Sequence, residues 1–223
     1  MRLTLTTFLT IDGVMQAPGG VDEDRSGGFD LGGWLVPYAD MDMGRFVTEW
    51  FSQADAFLFG RNTYQIMAAH WPRVTDPDDS IASGLNTLPK YVVSNTLERA
   101  DWHNTTIVNG DLQSLVEELK AQPGRELQIH GSGRLARSLH DLRLIDEYRL
   151  WIFPVVLGTG RRLFSEGSIP SSFKLIDTKT TSTGAVVHSF RSGGALSFGS
   201  FAIDEGVERA TIVEAPHPTK VNE

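Results

Sequence analysis

The sequence predicts an α/β fold of three layers, α/β/α, around a mixed, mainly parallel central sheet that finishes in antiparallel strands. Three observations carry this expectation. Short apolar runs alternate with stretches whose apolar residues recur at helical spacing, the grammar of βα units. Small-residue turns join strand ends to helix starts in three places. Beyond Glu147 the segments between apolar runs become too short for crossover helices, so the last strands must pair antiparallel. With 223 residues, 40% of them hydrophobic and 22% charged, the chain can bury a substantial core as one large domain or as a domain with an appendage.

Leu3 to Leu9 reads as a buried strand. Arg2 before it and Ala17 after it invite comparison with a signal peptide, but Thr4, Thr6, Thr7 and Thr10 interrupt the apolar stretch and Asp12 closes it. No window approaches the ~18 apolar residues of a membrane span, so a soluble, cytoplasmic protein is expected. The Gly-rich connection from Asp12 through Gly28 has two readings, a solvated excursion or a lid or binding loop. Asp40 stands at an N-cap position before Met43, Phe46, Val47, Trp50 and Phe51, whose spacing draws one apolar helix face.

Asp55 to Phe59 is a short strand running into Gly60-Arg61-Asn62-Thr63, with a helix starting at Tyr64. Pro89 to Ser94 and Thr105 to Val108 are further strands. Asp111 caps a helix carrying Leu112, Leu115, Val116 and Leu119, with Gly124 beyond its end. Leu127 to His130 is a strand, and Gly131-Ser132-Gly133 opens a helix with Leu135, Leu139 and Leu142. Tyr148 to Leu157, Phe173 to Asp177 and Val186 to Arg191 are the closing strands. Residues 193–223 differ in character, with five acids (Asp204, Glu205, Glu208, Glu214, Glu223) against two bases (Arg209, Lys220). Two weak strand-like pieces, Ser200 to Ile203 and Ala210 to Val213, precede a Pro-rich end at Pro216 and Pro218. An edge hairpin, a dimer arm and a loosely held extension all fit this tail.

Composition excludes several chemistries. The chain has no Cys, so it has no disulfide, thiolate metal site or cysteine nucleophile. Its 20 Lys and Arg against 28 Asp and Glu give a formal net charge of -8 without a dense basic block, which argues against nucleic acid as a partner. The six His show no metal-ligand spacing, so no metal is expected. Ser132 lacks the G-x-S-x-G context of a hydrolase nucleophile. His70 beside Trp71 reads as a helix-end packing pair, Arg161-Arg162 as a solvated turn, and Phe46, Trp50 and Phe51 as helical core.

Three turns converge on one kind of ligand. Gly60-Arg61-Asn62-Thr63, Ser94-Asn95-Thr96 and Gly131-Ser132-Gly133-Arg134 each place backbone N–H groups at the end of a strand, and in a parallel sheet such ends share one edge. Helix N-termini suit phosphates, and Arg61 and Arg134 would add charge-assisted contacts. Each turn alone is weak, since Gly131-Ser132-Gly133 lacks the third glycine of GxGxxG and Gly60 serves equally as a turn glycine. Their joint occurrence points to a clamp for a dinucleotide.

Taken in order, these residues resemble the dihydrofolate reductase-like superfamily, specifically the reductase domain of bacterial riboflavin biosynthesis. The likeness lies in Thr10-Ile11-Asp12-Gly13, in the run from Ala54 to Tyr64, in Lys90 to Ser94, in His130-Gly131-Ser132-Gly133-Arg134-Leu135, and in Asp146-Glu147 leading to Pro154 through Gly160. It covers about residues 1–192, with residues 193–223 outside it as an acidic C-terminal extension. The resemblance implies an NADPH-binding domain that passes hydride to a small heterocyclic or conjugated substrate, pterin- or aminopyrimidine-like, and a homodimer. It implies that Gly60, Arg61, Asn62, Thr63, Ser94, Asn95 and Thr96 hold the adenosine phosphate end, and that Gly131, Ser132, Gly133, Arg134 and Leu135 cradle the pyrophosphate. Thr7, Gly13 and the turn from Asp12 to Gln16 would lie near the nicotinamide, with Val155, Leu157 and Gly158 completing the cleft.

Asp12 and Asp40 are the candidate catalytic acids. For Asp40 the capping role competes with that of the pterin-binding acid of folate reductases. The pattern departs from the riboflavin-pathway enzymes at His130, where Glu usually precedes the double-glycine motif, and in lacking an Asp-Pro substrate stretch after Gly60 to Thr63. A non-catalytic or regulatory NADP(H)- or nucleotide-binding protein is therefore the alternative.

Overall fold

The computed structural model describes residues 1–194 and 196–214. In chain order the elements are β1 (Arg2–Thr10), α1 (Met41–Phe51), β2 (Ala54–Gly60), α2 (Arg61–His70), α3 (Ser80–Thr87), β3 (Lys90–Val93), β4 (Thr105–Val108), α4 (Leu112–Ala121), β5 (Glu126–His130), α5 (Gly133–Asp141), β6 (Glu147–Phe153), β7 (Ser172–Thr180), β8 (Val186–Gly194), β9 (Ser197–Asp204) and β10 (Val207–Glu214). The first eight strands form one sheet in the order β4-β3-β2-β5-β1-β6-β8-β7. The six strands from β4 to β6 in that order are parallel, and β8 and β7 join antiparallel. This is the expected three-layer architecture.

Period-two alternation decides what each face of the sheet holds. Leu3, Leu5 and Leu9 of β1, with Leu127 and Ile129 of β5, pack under Val116 and Leu119 of α4 and Leu135 and Leu139 of α5. On the other face Phe46 and Trp50 of α1 meet Trp151 and Phe153 of β6, while Tyr64 of α2 and Leu85 of α3 cover Phe57 and Phe59 of β2. That second face also buries charge. Arg149 of β6 donates to both carboxylate oxygens of Glu126 at 3.0 and 2.7 Å and to Glu147 at 3.1 Å. Arg2 reaches Glu147 at 2.9 Å. The interaction is possible because β1 lies between β5 and β6 and brings two strands that are distant in the chain to one face.

Several boundaries differ from the expectation. β6 stops at Phe153 rather than Leu157, because Pro154 has no N–H to donate to a ladder. α3 has no counterpart in the sequence reading; Asp79 caps it by accepting from the N–H groups of Ile81 and Ala82 at 3.0 and 2.9 Å. The two weak strand-like pieces of the tail are a hairpin, with Glu205 and Gly206 at φ of 50° and 78° forming a two-residue turn that matches strand twist. The expected Pro-rich end at Pro216 and Pro218 lies outside the described residues. No helix among the described residues is long and apolar enough to cross a membrane.

Candidate functional site

A cleft of about 1010 Å³ opens at the C-terminal ends of the parallel strands. Two strand-to-helix turns form its floor and are bonded to each other. The Gly60 N–H donates to Ser132 Oγ at 3.1 Å, and the Ser132 N–H donates to Thr63 Oγ1 at 3.1 Å. Gly131 and Ser132 both have left-handed backbones, at φ of 59° and 53°; for serine this costs on the order of 1 kcal/mol, a strain the cross-bonding holds in place. Beside them, Ser94 Oγ accepts from the N–H groups of Thr96 and Leu97, and Arg61 donates to Thr96 Oγ1 at 2.6 Å. Arg61 thereby joins the turn after β2 to the turn after β3.

The helix starts divide into two kinds. α1, α3 and α4 are capped by the carboxylates of Asp40, Asp79 and Asp111. α2 and α5, which begin on the cleft wall, start from Gly60 and Ser132 with no side-chain cap, and each puts an arginine, Arg61 or Arg134, in its first turn. A cation there opposes the helix dipole, and the first N–H groups lack side-chain acceptors. Both features turn favourable when an anion sits between them, so these residues fit a phosphate-bearing cofactor.

The loop after β1 forms another wall. Gln16 is buried; its amide donates to the carbonyls of Asp24 and Ser26 at 3.1 and 2.9 Å, and its Oε1 accepts from the Arg161 N–H at 3.1 Å. Of the two readings of this Gly-rich segment, the wall of a cleft is the one that fits, with Met15 to Gly20, Glu23 and Asp24 lining it. Arg161 pairs with Asp24 and Arg162 with Asp12. The expected solvated turn at Arg161-Arg162 is thus a pair of ties to that loop, made by contacts far apart in the chain.

Of the residues expected at the cofactor, Thr7, Gly60, Arg61, Asn62, Thr63, Ser94, Thr96, Gly131, Ser132, Gly133, Arg134 and Leu135 line the cleft. Gly13, Asn95, Val155, Leu157 and Gly158 are not on its wall, and neither candidate acid is. Asp12 accepts from Thr10 Oγ1 at 2.6 Å and from the N–H groups of Gly158 and Leu157 at 2.9 and 3.2 Å. The Thr10 bond first, then those N–H groups, lowers its pKa to about 2, so it is an ionised latch between two loops. Asp40 accepts from the Met43 N–H at 2.8 Å and from Ser182 and Thr183. These bonds hold its carboxyl well below the usual range, the Met43 N–H contributing most. In this structure both candidate acids are thus ionised and engaged by groups away from the cleft wall.

Sequence reasoning did not find the α1 side of the cleft. Met43, Val47, Trp50 and Phe51 line it together with Thr6, Phe8 and His130. Phe51 stacks on the His130 ring at 4.4 Å between centroids, so part of the apolar stripe read as core faces the cleft. His130 Nε2 lies 3.0 Å from Gln128 Oε1. Burial first, and the nearby Arg149 second, push the His130 pKa down to about 3, leaving the ring neutral at pH 7. His70 and Trp71 meet edge to face at 5.2 Å, the expected packing pair, and also line the cleft.

The fold is that of a dihydrofolate reductase-like α/β protein. The dihydrofolate reductase of Enterococcus faecalis, solved with NADP(H), superposes with a TM-score of 0.54 at 11% identity, over 86% of this chain and 96% of that one. Within that class the chain belongs to the RibD C-terminal domain family, whose model matches residues 2–189. The uncharacterised protein YyaP of Bacillus subtilis (strain 168) is 31% identical over 187 residues, which is 83% of this chain and 92% of YyaP. A Shewanella sp. PV-4 protein named for riboflavin biosynthesis superposes with a TM-score of 0.65 at 23% identity, over 86% of this chain and 99% of that one.

Proposed function

We propose that the protein is a cytoplasmic, homodimeric NADPH-dependent reductase of a small heterocyclic or conjugated substrate, pterin- or aminopyrimidine-like, with residues 1–192 as its catalytic domain and residues 193–223 as an appended extension. The observation that carries the cofactor is the pair of uncapped helix starts, each with an arginine in its first turn. Arg61, Asn62, Thr63, Ser94 and Thr96 hold the adenosine phosphates, and Gly131 to Leu135 hold the pyrophosphate at the start of α5. Bound NADPH supplies the hydride. The chain's own residues orient the two reactants and exclude water: Met15 and Gln16 from the loop, Thr7 and Phe8 from β1, and Trp50 and Phe51 from α1.

Calorimetric titration tests this reading. NADPH is expected to bind saturably and more tightly than NADH, and absence of saturable binding by either would sink it. A second reading, a nucleotide-binding protein without turnover, is favoured by one observation: the α1 side of the cleft carries no ionised acid. Oxidation of NADPH by any member of a quinone, pterin and aminopyrimidine panel excludes that reading.

The homodimer rests on the β9–β10 hairpin. Phe201, Ile203 and Ile212 share one face of it by register and are each more than three-quarters exposed. An isolated two-stranded hairpin is marginal in water, and a second copy covering that face stabilises it. Light scattering should give twice the chain mass, and F201S combined with I203S should give the monomer.

A further inference from the structure

Two polar atoms on the α1 side of the cleft have unused hydrogen-bonding capacity. Thr6 Oγ1 is buried and has no partner; among the described residues the only other such side-chain atom is Trp151 Nε1, which is not on the cleft wall. Buried hydroxyls are almost always hydrogen-bonded, so a partner arriving through the cleft meets a standing demand. Thr6 lies directly beside His130 in the β1–β5 register.

The tautomer of His130 follows from its neighbours. The Gln128 amide nitrogen donates to the Trp50 carbonyl and to Glu126, each at 2.7 Å, which fixes the amide orientation and makes Gln128 Oε1 an acceptor. His130 Nε2 must therefore carry the hydrogen it shares with Oε1, and Nδ1 is a bare acceptor. Burial keeps the ring neutral, so it offers no charge to an anion. The α1 residues around the pair, Met43, Val47, Trp50 and Phe51, are apolar. An ionic ligand group here would be desolvated without a counter-charge.

One donor, Thr6 Oγ1–H, thus stands next to one acceptor, His130 Nδ1, in an aromatic setting whose nearby buried charges, Glu126 and Arg149, are paired with each other. We propose that Thr6 and His130 are specificity-determining residues that together read the –NH–C(=O)– edge of a neutral cyclic amide, the ring N–H donating to His130 and the carbonyl accepting from Thr6. This names the substrate class of the site described above and rests on the reductase reading for the presence of a cofactor. A cationic amidine edge, which needs a carboxylate, is not served by this pair.

The test uses the full chain and calorimetry in the presence of NADP⁺, with three probes of one ring system: 4-quinazolinone, its N-methyl derivative and 4-methoxyquinazoline. The first should bind roughly tenfold more tightly than the N-methyl derivative, which loses one hydrogen bond, and by a larger factor than 4-methoxyquinazoline, which loses both. H130F should erase the preference over the N-methyl derivative while keeping that over 4-methoxyquinazoline. T6V should narrow the preference over 4-methoxyquinazoline while keeping that over the N-methyl derivative, T6S should keep both, and NADP⁺ should bind all three variants as before. H130F retains a ring against Phe51 and serves if T6V does not fold. Equal affinities in the native protein, a preference over the N-methyl derivative that survives H130F, or a preference over 4-methoxyquinazoline undiminished in T6V overturns the proposal. Failure of NADP⁺ to bind overturns the reductase reading instead, and the probe series is then read without the nucleotide.

Discussion

Around the starts of α2 and α5 the cleft is built from arginines and unclaimed backbone N–H groups, whereas beside α1 it is built from aromatic rings, one hydroxyl and an uncharged imidazole. The two parts meet at a single peptide bond, between His130 and Gly131. The helix-start part gains from the arrival of an anion, while the α1 part gains from a flat neutral molecule. The difference teaches how an acidic chain of net charge -8 can bind a polyanionic cofactor: Arg61, Arg134 and Arg137 of α2 and α5 line the cleft, while Arg161 and Arg162, which line it from the loop side, are paired with Asp24 and Asp12.

The largest expected effect comes from the support beneath the neutral part. Arg149 is 3% exposed and lies between Glu126 and Glu147, and Glu126 anchors the Gln128 amide that orients His130. Arg149→Met would leave two buried carboxylates with Arg2 as their remaining ion-pair partner. Breaking such a pair costs about 3–5 kcal/mol, to be read from urea unfolding. A loss below about 1 kcal/mol would show that the face is solvated and that His130 is not held as described. Next in size is Arg61→Ala at the cationic part. Removing a charge-assisted contact should weaken NADPH by about 1.5–3 kcal/mol and leave NADH less affected, so that the two affinities converge in titration. If both fall equally, Arg61 meets a phosphate common to both nucleotides.

The cationic part was legible in the sequence because it is local. Gly60-Arg61-Asn62-Thr63 and Gly131 to Arg134 are contiguous, and a turn followed by a helix start states its own chemistry. The neutral part was not, because Thr6, His130 and Arg149 become neighbours only through the β5-β1-β6 strand order. In the sequence Thr4 and Thr6 are interruptions of an apolar run, while in the fold they are the polar face of a strand whose other face is Leu3 and Leu5. Phe51 was read as core because an apolar stripe does not say where a helix face ends and a cleft begins. Asp40 was correctly placed as a cap, but its second set of partners, Ser182 and Thr183, lies more than 140 residues away and no local pattern reports it.

The pH dependence of stability sharpens the contrast further. The His130 pKa falls from 6.5 in the open chain to about 3 in the fold. Below pH 6.5 the unfolded chain takes up a proton that native His130 refuses, so stability is full above that pH and is lost progressively as pH falls toward 3. By pH 5 this linkage amounts to about 2 kcal/mol. Glu126 adds a loss of the same sign at lower pH: burial works against its charge, but Arg149 holds its carboxyl below the usual range. H130F should remove the loss between pH 7 and 5, and an unchanged unfolding midpoint across that range in the native protein would mean that the imidazole is wet.

The smallest expected effect belongs to a residue in neither part. Asp40→Ala removes the cap of α1 and the bonds to Ser182 and Thr183, so the melting temperature should fall measurably. The carboxylate is off the cleft wall, so NADPH affinity should be unchanged, and any NADPH oxidation should continue at the native rate per folded molecule. Asp40→Asn is the sharper variant, because its side-chain oxygen can still accept from the Met43 N–H while its charge is gone. If Asp40→Asn keeps the native melting temperature and NADPH affinity but abolishes hydride transfer, the carboxylate acts on the substrate, and the α1 side of the cleft is not neutral once the substrate is bound.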